Sequence, residues 1–162
     1  MMLNIDHLNI SYNHTPAVQD LSLAVGAGQI VGIAGESGSG KSTMLRSITG
    51  LLGKEGKITS GDIWFENRQL QLLGEKEMEK IRGKDISMIF QQPESSFDPV
   101  TTIGKQFCEA LGVHEKISKK EALERGMELL RKLHFPDPER IMDSYAFELS
   151  GGMCQRAAIA LG

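Results

Sequence analysis

The stretch GESGSGKS, from Gly35 to Ser42, has the residue types and the spacing of a phosphate-binding loop, G-x-x-x-x-G-K-[ST]. Small residues let successive backbone N–H groups turn inward and surround a phosphate. In this pattern Lys41 would reach the β- and γ-phosphate oxygens, the Ser42 hydroxyl would ligate Mg²⁺, and Thr43 can add a phosphate contact. The predicted nucleotide-binding residues are Gly35, Glu36, Ser37, Gly38, Ser39, Gly40, Lys41, Ser42 and Thr43. No G-x-G-x-x-G spacing occurs, so a dinucleotide-binding loop is not indicated.

A second candidate site is the Ser150-Gly151-Gly152 triplet in LSGGMCQR, directly before a predicted helix. Two glycines allow the backbone to approach a ligand closely, and the helix that follows directs its positive end toward that ligand. The Ser150 hydroxyl adds a donor. The pattern therefore predicts an anion site, although the triplet alone would also suit a simple helix cap.

The elements that must position the loop are a strand before it and a helix after it. The run IVGIAG, Ile30 to Gly35, is apolar on both faces, which predicts a buried parallel strand. The helix after the loop should present one apolar stripe, made of Met44, Leu45, Ile48, Leu51 and Leu52.

The rest of the N-terminal half alternates in the manner of a half-exposed antiparallel sheet. LNIDHLNISY and LSLAV are predicted strands joined by a turn, NHTPAVQD, that contains Pro16. GKEGKITSG is a predicted loop, and DIWFEN a strand with Trp64 in the core. Residues 75–82 are predicted as a short charged helix with a solvated face, and ISMIF, Ile86 to Phe90, as a second buried strand.

The character of the chain changes after Gln91, where a mixed β/α half (1–91) gives way to a helical half (92–162). Ser118 and Glu121 form a predicted capping box for a helix whose core residues include Met127, Leu130 and Leu133. Asp137 followed by Pro138 can start another short helix.

Composition supports a soluble globular chain of 162 residues, with 18 basic and 21 acidic residues and a net charge of -3. This charge gives no reason to expect a nucleic acid as partner. The apolar runs are too short to span a bilayer, and the first residues lack a secretory signal. Cys108 and Cys154 are predicted to be reduced thiols, and Cys154 has no paired histidine nearby that would make it a nucleophile.

The chain resembles ATP-binding cassette (ABC) ATPases over essentially its whole length. The order of its motifs is typical of that family: the phosphate loop, the glutamine that ends MIFQ, the helical region and then LSGGMCQR. The signature-type residues are Leu149, Ser150, Gly151, Gly152, Gln155 and Arg156. The resemblance implies an α/β phosphate-loop fold with an N-terminal antiparallel β subdomain, a partial RecA-like core and a helical signature subdomain. It also implies that Tyr12 stacks on adenine, that Gln91 ligates Mg²⁺ and joins Lys41 in catalysis, and that Ser150, Gly151 and Gly152 contact the γ-phosphate held by an opposite subunit.

A narrower similarity follows Gln91. QQPESSFDPV looks like the Q-x-P-x-x-S-x-x-P segment of ATPase subunits from peptide and nickel importers, and SYAFELSGGM is similar in the same way. Ala146 and Cys154 depart from the Pro and Gln that many members have there. The implied function is to bind and hydrolyse ATP, with Mg²⁺, for import of peptides, or alternatively of nickel or a metal chelate.

The implied partners are a second ABC ATPase subunit, two membrane permeases and an extracytoplasmic substrate-binding protein, with the chain at the cytoplasmic face of the membrane. In the family a short helix of the membrane subunit enters the groove near Gln91 and PESSFDP. A soluble ABC-type ATPase remains a second alternative. A small kinase or GTPase is a weaker one, because the base-reading N-K-x-D motif is absent.

Hydrolysis also needs an acidic residue near Mg²⁺ and a group that orients the attacking water. No run of four apolar residues followed by Asp-Glu occurs in the chain. The resemblance places that pair, a switch histidine and the C-terminal core strands after the signature helix. The expectation from sequence is therefore the N-terminal portion of a longer subunit, inactive and only marginally stable by itself.

Overall fold

The computed structural model describes all residues from Met1 to Gly162. The chain divides into two compact units, Met1–Arg82 and Gly83–Gly162. None of the helices is both long enough and apolar enough to cross a membrane.

The first unit is built on one antiparallel sheet. Strands β1 (Leu3–Tyr12), β2 (Thr15–Val25), β3 (Gly56–Phe65) and β4 (Arg68–Gln69) lie in the order β2-β1-β3-β4. The sheet buries one face only, so the predicted half-exposed antiparallel sheet is confirmed. The fully buried side chains of this face are Ile5, Leu8, Ile10 and Ile63.

A row of bulges crosses three of these strands. The pairing of β1 shifts between Ile5 and Leu8 on the β2 side and between Asp6 and Asn9 on the β3 side. His7 has a φ of 46°, and Gly61 opposite it has a φ of 84°. A Cβ on Gly61 would lie 2.3 Å from the His7 carbonyl oxygen. Only glycine fits there. The extra residue keeps Ile5 and Leu8 on the same buried face although they are three positions apart.

Two helices complete the first unit, α1 (Lys41–Ile48) and α2 (Glu75–Ile81). Each buries a narrow apolar edge, Met44 and Ile48 in α1 and Met78 and Ile81 in α2. The Arg82 Nε donates a 2.7 Å hydrogen bond to the Thr49 carbonyl oxygen, which joins the ends of the two helices. Because α2 buries only Met78 and Ile81, the predicted charged helix with a solvated face is confirmed.

The structure corrects several sequence predictions in this unit. The turn between β1 and β2 contains only Asn13 and His14, and β3 begins at Gly56 because its first residues pair with β1, inside the stretch predicted as a loop. Trp64 is exposed because Ile63 and Phe65 take the buried face and strand side chains alternate. Two members of the predicted stripe of α1, Leu45 and Leu51, are also exposed.

The two predicted buried strands are wrong as well. Ile30 to Gly35 is not in a strand, and Ile30 is fully exposed. Apart from one bridge residue at Ile86, the segment Ile86 to Phe90 is not in a strand either. A strand exists only where another strand accepts and donates its ladder hydrogen bonds, and neither segment is hydrogen-bonded into the sheet.

The second unit is helical, as predicted. Its helices are α3 (Ile103–His114), α4 (Lys119–Lys132), α5 (Pro138–Asp143) and α6 (Gly151–Leu161), with 3₁₀ turns at Pro93–Ser96 and Ala146–Glu148. The capping box is confirmed, because the Ser118 hydroxyl accepts from the Glu121 N–H and the Glu121 carboxylate accepts from the Ser118 N–H. Asp137 caps α5. One core cluster holds these helices together, with Leu130 fully buried and Met127 and Leu133 packed against it.

Candidate functional site

The phosphate loop lies exposed at the start of α1, and Lys41 organises it. The Lys41 Nζ donates hydrogen bonds to the carbonyl oxygens of Gly35 (2.7 Å) and Glu36 (2.6 Å) and to the Ser39 hydroxyl (3.1 Å). These three acceptors wrap the loop around one ammonium group. The predicted residues Gly35 to Lys41 are therefore brought together around a single positive charge.

The start of α1 is suited to an anion. Gly40 is the N-cap residue, with a φ of 87°, and no side chain caps this helix end. The first N–H groups of a helix have no acceptor inside it, and the helix dipole adds partial positive charge there. Lys41, Ser42 and Thr43 supply these N–H groups, so charge and donors converge where a phosphate would bind.

A close contact with β2 fixes the position of this helix start. A Cβ on Gly40 would lie 2.5 Å from the Ala17 carbonyl oxygen and 3.0 Å from the Val18 Cγ2. Glycine is thus required both for the left-handed φ and for the approach to β2. Sequence reasoning missed Ala17, because nothing in its type or spacing signals a contact 23 positions away.

Tyr12 ends β1 next to the same part of β2. It pairs with Thr15, two residues before Ala17, and its ring packs against Gly56, where an added Cβ would lie 2.8 Å from the Tyr12 Cε1. The structure therefore places Tyr12 and the phosphate loop against neighbouring residues of one strand. Its adenine-stacking role stays a prediction.

The signature-type residues start α6 in the second unit. The Ser150 hydroxyl accepts a 3.4 Å hydrogen bond from the Met153 N–H and acts as the N-cap. Neither Gly151 nor Gly152 has a positive φ, and a Cβ on either would meet nothing within 4 Å. No contact or backbone conformation inside the chain requires these two glycines, although each is unfavourable in a helix compared with alanine. Their small size leaves the backbone at the start of α6 exposed to solvent.

The residues around this helix start are held in place. The Glu148 carboxylate accepts a 2.8 Å hydrogen bond from the Tyr145 N–H, and the rings of Tyr145 and Phe147 stack with centroids 5.5 Å apart. Cys154 is buried and its Sγ donates to the Ala146 carbonyl oxygen at 3.3 Å. Burial raises the pKa of the Cys154 thiol, which agrees with the prediction that it is not a nucleophile. Both cysteines are free thiols, as predicted.

Gln91 is exposed and belongs to the second unit. The segment that follows it is shaped by Asp98, whose carboxylate accepts from the Val100 N–H (2.9 Å) and the Thr101 hydroxyl (2.8 Å). These two hydrogen bonds lower the Asp98 pKa below its ordinary value. The structure groups Tyr12 with the phosphate loop in one unit, and Gln91 with Ser150 to Gly152 in the other. The predicted Mg²⁺ role of Gln91 stays a prediction.

The antiparallel sheet, the phosphate loop at the start of α1 and the Ser-Gly-Gly start of α6 together define an ABC ATPase fold. The family model described as ABC transporter matches residues 18–162. The chain therefore belongs to the ABC transporter family, and the predicted family and fold class are confirmed.

The curated relatives include ATP-binding proteins named for peptide, dipeptide and metal-staphylopine transport. The chain is 45% identical to a probable peptide ABC transporter ATP-binding protein of Sinorhizobium fredii, over 91% of this chain and 44% of that protein. It is 42% identical to the metal-staphylopine import system ATP-binding protein CntD of Staphylococcus aureus, over 99% of this chain and 59% of that protein. It is 38% identical to the dipeptide transport ATP-binding protein DppD of Escherichia coli, over 99% of this chain and 50% of that protein. The chain thus spans about half the length of these relatives.

Comparison with solved structures supports the same family assignment. The dimeric structure of the bacterial ABC transporter cassette MJ0796 matches with a TM-score of 0.84 and 30% identity, over 99% of this chain and 68% of that one. A dimeric post-hydrolysis state of the same cassette, bound to ADP and Pi, matches with a TM-score of 0.81 and 29% identity, over 99% of this chain and 68% of that one.

Proposed function

We propose that this chain binds ATP at the Gly35–Ser42 loop and belongs to the subunit that hydrolyses ATP to drive peptide import across the cytoplasmic membrane. The observation that carries the proposal is the convergence of the Lys41 ammonium with the uncapped start of α1. Family membership and the matched ADP-bound cassette support it.

Lys41 would change partners when nucleotide binds. Its ammonium is held by two carbonyl oxygens and one hydroxyl, which are neutral acceptors. Phosphate oxygens carry full charge and form stronger hydrogen bonds with an ammonium group. Binding would therefore exchange neutral acceptors of the Lys41 ammonium for charged ones.

Mg²⁺, when bound beside the β- and γ-phosphates, neutralises charge that develops during phosphoryl transfer. The exposed Ser42 hydroxyl in the first turn of α1 fits an oxygen ligand for this hard cation. Ser42 is therefore the proposed Mg²⁺ ligand of this unit.

The start of α6 would act on nucleotide held by a second ATPase subunit. Gly151 and Gly152 leave the α6 backbone open to solvent, and Ser150 adds a hydroxyl. A γ-phosphate could approach the N–H groups there without displacing any side chain. The matched cassette was solved as a dimer, which supports this arrangement. Each ATP would thus lie between the phosphate loop of one subunit and α6 of its partner.

Peptides are the proposed cargo because relatives named for peptide or dipeptide transport match most of this chain. The similar match to CntD, named for metal-staphylopine import, favours a metal chelate as the second candidate. The proposed partners are two membrane permeases and an extracytoplasmic substrate-binding protein, with the chain at the cytoplasmic face of the membrane. The segment around Asp98 would receive a helix of the permease.

Nucleotide binding is tested with Lys41→Ala in the full-length protein, with Lys80→Ala as the control because it removes an exposed lysine of α2. Loss of one charge-assisted hydrogen bond costs about 1.5–3 kcal/mol, so ATP affinity measured by calorimetry should fall at least about tenfold in Lys41→Ala only. Equal affinity in both variants would contradict the proposal.

Cargo is tested by uptake of a labelled dipeptide and of a labelled metal chelate in cells that lack the gene. Loss of dipeptide uptake alone supports the peptide assignment. Loss of chelate uptake alone supports the second candidate, and normal uptake of both would contradict an importer of either class.

A further inference from the structure

Arg156 connects α6 to the end of α4. Its Nη1 donates hydrogen bonds to the carbonyl oxygens of Leu133 (3.1 Å) and His134 (3.2 Å). Its guanidinium carbon lies 4.4 Å from the centroid of the Phe135 ring. One side chain of α6 therefore makes three contacts with the three residues that directly follow α4, Leu133 to Phe135.

These three residues form a rigid helix end. The Phe135 N–H donates to the Leu130 carbonyl oxygen at 3.1 Å, and the His134 N–H donates to the Arg131 carbonyl oxygen at 3.0 Å. His134 has a φ of 59°, and Phe135 and Leu130 are both buried in the core cluster. This is the Schellman arrangement, with its left-handed residue and its hydrophobic contact. Arg156 is thus attached to a fixed point of the unit.

The rest of α6 packs mainly through apolar contacts, which include those of Met153 and Leu161 with the core cluster. Its buried side chains are the small ones of Cys154, Ala157 and Ala160. Apolar packing of this kind is not directional. A planar guanidinium that donates to two carbonyls and lies on a ring is specific in direction. Arg156 therefore adds a directional contact with the end of α4 to the apolar packing of α6.

We propose that Arg156 is a positioning residue for the start of α6. By holding α6 to the end of α4, it sets the direction of Ser150 and of the N–H groups beside Gly151. Arg156 lies six residues from Ser150, about 9 Å along the helix at 1.5 Å per residue. It acts through the helix and touches no nucleotide itself. The proposal rests on the proposed contact between α6 and ATP of a second subunit, for which geometry must be held closely.

The experiment compares Arg156→Gln with Arg131→Gln in the full-length protein. Arg131 also lies at the end of α4 and pairs with Glu139 at 2.6 Å, so the control removes the same charge without touching α6. Met127→Ala is a second control, because it weakens packing against the same core cluster without removing any of the three contacts of Arg156. Arg156→Lys keeps the charge but loses the planar group.

Two readouts are measured at temperatures well below the unfolding midpoint. With an ATP analogue that resists hydrolysis, the dimer dissociation constant of Arg156→Gln should rise about tenfold, equivalent to about 1.4 kcal/mol. Nucleotide affinity at the phosphate loop should stay within about twofold, since the loop belongs to the first unit and Arg156 to the second. Both controls should dimerise as the unchanged protein does, and Arg156→Lys should fall in between.

Hydrogen exchange supplies a readout that needs no dimer. The N–H groups of Met153 and Cys154 both bond to Ser150, so their exchange reports the start of α6 directly. We expect faster exchange there in Arg156→Gln and no change in Arg131→Gln. Unchanged exchange, or an equal effect of Met127→Ala, would overturn the positioning role. Faster exchange in a protein that never dimerises with ATP would instead refute the two-subunit ATP site and, with it, the functional use of this contact.

Discussion

Gly40 faces the carbonyl oxygen of Ala17 so closely that a methyl group in its place would lie 2.5 Å from that oxygen. This contact attaches the start of α1 to β2. It makes the position of the phosphate loop a property of the antiparallel sheet as well as of the loop's own sequence.

Gly40→Ala is therefore expected to destabilise the protein more than Gly38→Ala. Both residues have a left-handed φ, 87° and 84°, but a Cβ on Gly38 would meet nothing within 4 Å. The strained φ costs about 1–2 kcal/mol in each variant. The clash with Ala17 adds about 1–3 kcal/mol in Gly40→Ala alone. Denaturant unfolding measures both values, and equal losses would show that the contact with β2 is relaxed in solution.

In contrast to Gly40→Ala, substitution of either glycine of α6 by alanine should not destabilise the protein. Gly152→Ala adds a methyl group in open space and should leave stability equal or raise it, by up to about 1 kcal/mol. The same methyl group should hinder a phosphate that approaches α6, so ATP-driven dimerisation in the full-length protein should weaken at least about tenfold.

Gly112→Ala is the matched control for this experiment. Gly112 lies in α3 and is equally open, so stability should again stay equal or rise. Dimerisation should not change. If Gly152→Ala dimerises as well as Gly112→Ala does, the reason for the glycine lies elsewhere.

The pKa of His7 should lie above its ordinary value. Its Nδ1 lies 2.5 Å from the Asp20 Oδ1 and its Nε2 lies 4.0 Å from the Asp6 Oδ1. The hydrogen bond to Asp20 is the main cause of the raised pKa, followed by the charges of Asp20 and Asp6. A pKa raised by folding means that the folded state binds the proton more tightly. The stabilisation is complete below the unfolded pKa of about 6.5 and is lost as the pH rises through the folded pKa.

This pH dependence is measured by NMR titration of His7 and by unfolding at pH values from about 5 to 9. In Asp20→Asn the His7 pKa should move down toward its ordinary value, and the stability advantage below pH 6.5 should shrink. The effect on stability is small, because the pair is exposed to solvent. An unchanged titration in Asp20→Asn would contradict the pairing seen across β1 and β2.

The two cysteines should differ in reactivity. Cys154 is 1% exposed and burial raises its pKa, whereas Cys108 is partly exposed on α3. A thiol reagent applied to the folded protein should label Cys108 first, because the thiolate is the reactive form and needs access. Peptide mapping by mass spectrometry locates the label. Rapid labelling of Cys154 would show that α6 opens easily.

Local patterns in the sequence predicted what depends on neighbours along the chain. The spacing of Gly35 to Ser42, the capping box of Ser118 and Glu121 and the alternation of β1 all follow from short-range chemistry. Ile30 to Gly35 was wrong as a strand because a strand needs a hydrogen-bonded neighbour, which apolar composition does not supply. The approach of Gly40 to Ala17 and the attachment of Arg156 to Leu133 are long-range contacts, which one sequence does not encode in any local signal.

The open start of α6 also has an evolutionary consequence. Random substitution would readily turn Gly151 or Gly152 into a residue that favours the helix, since folding raises no obstacle to it. Selection for the proposed contact with the nucleotide of a second subunit would remove such mutants from a population. In a gene copy released from that selection, these two codons should be among the first to drift, while Gly40 and Gly61 persist for as long as the protein must fold.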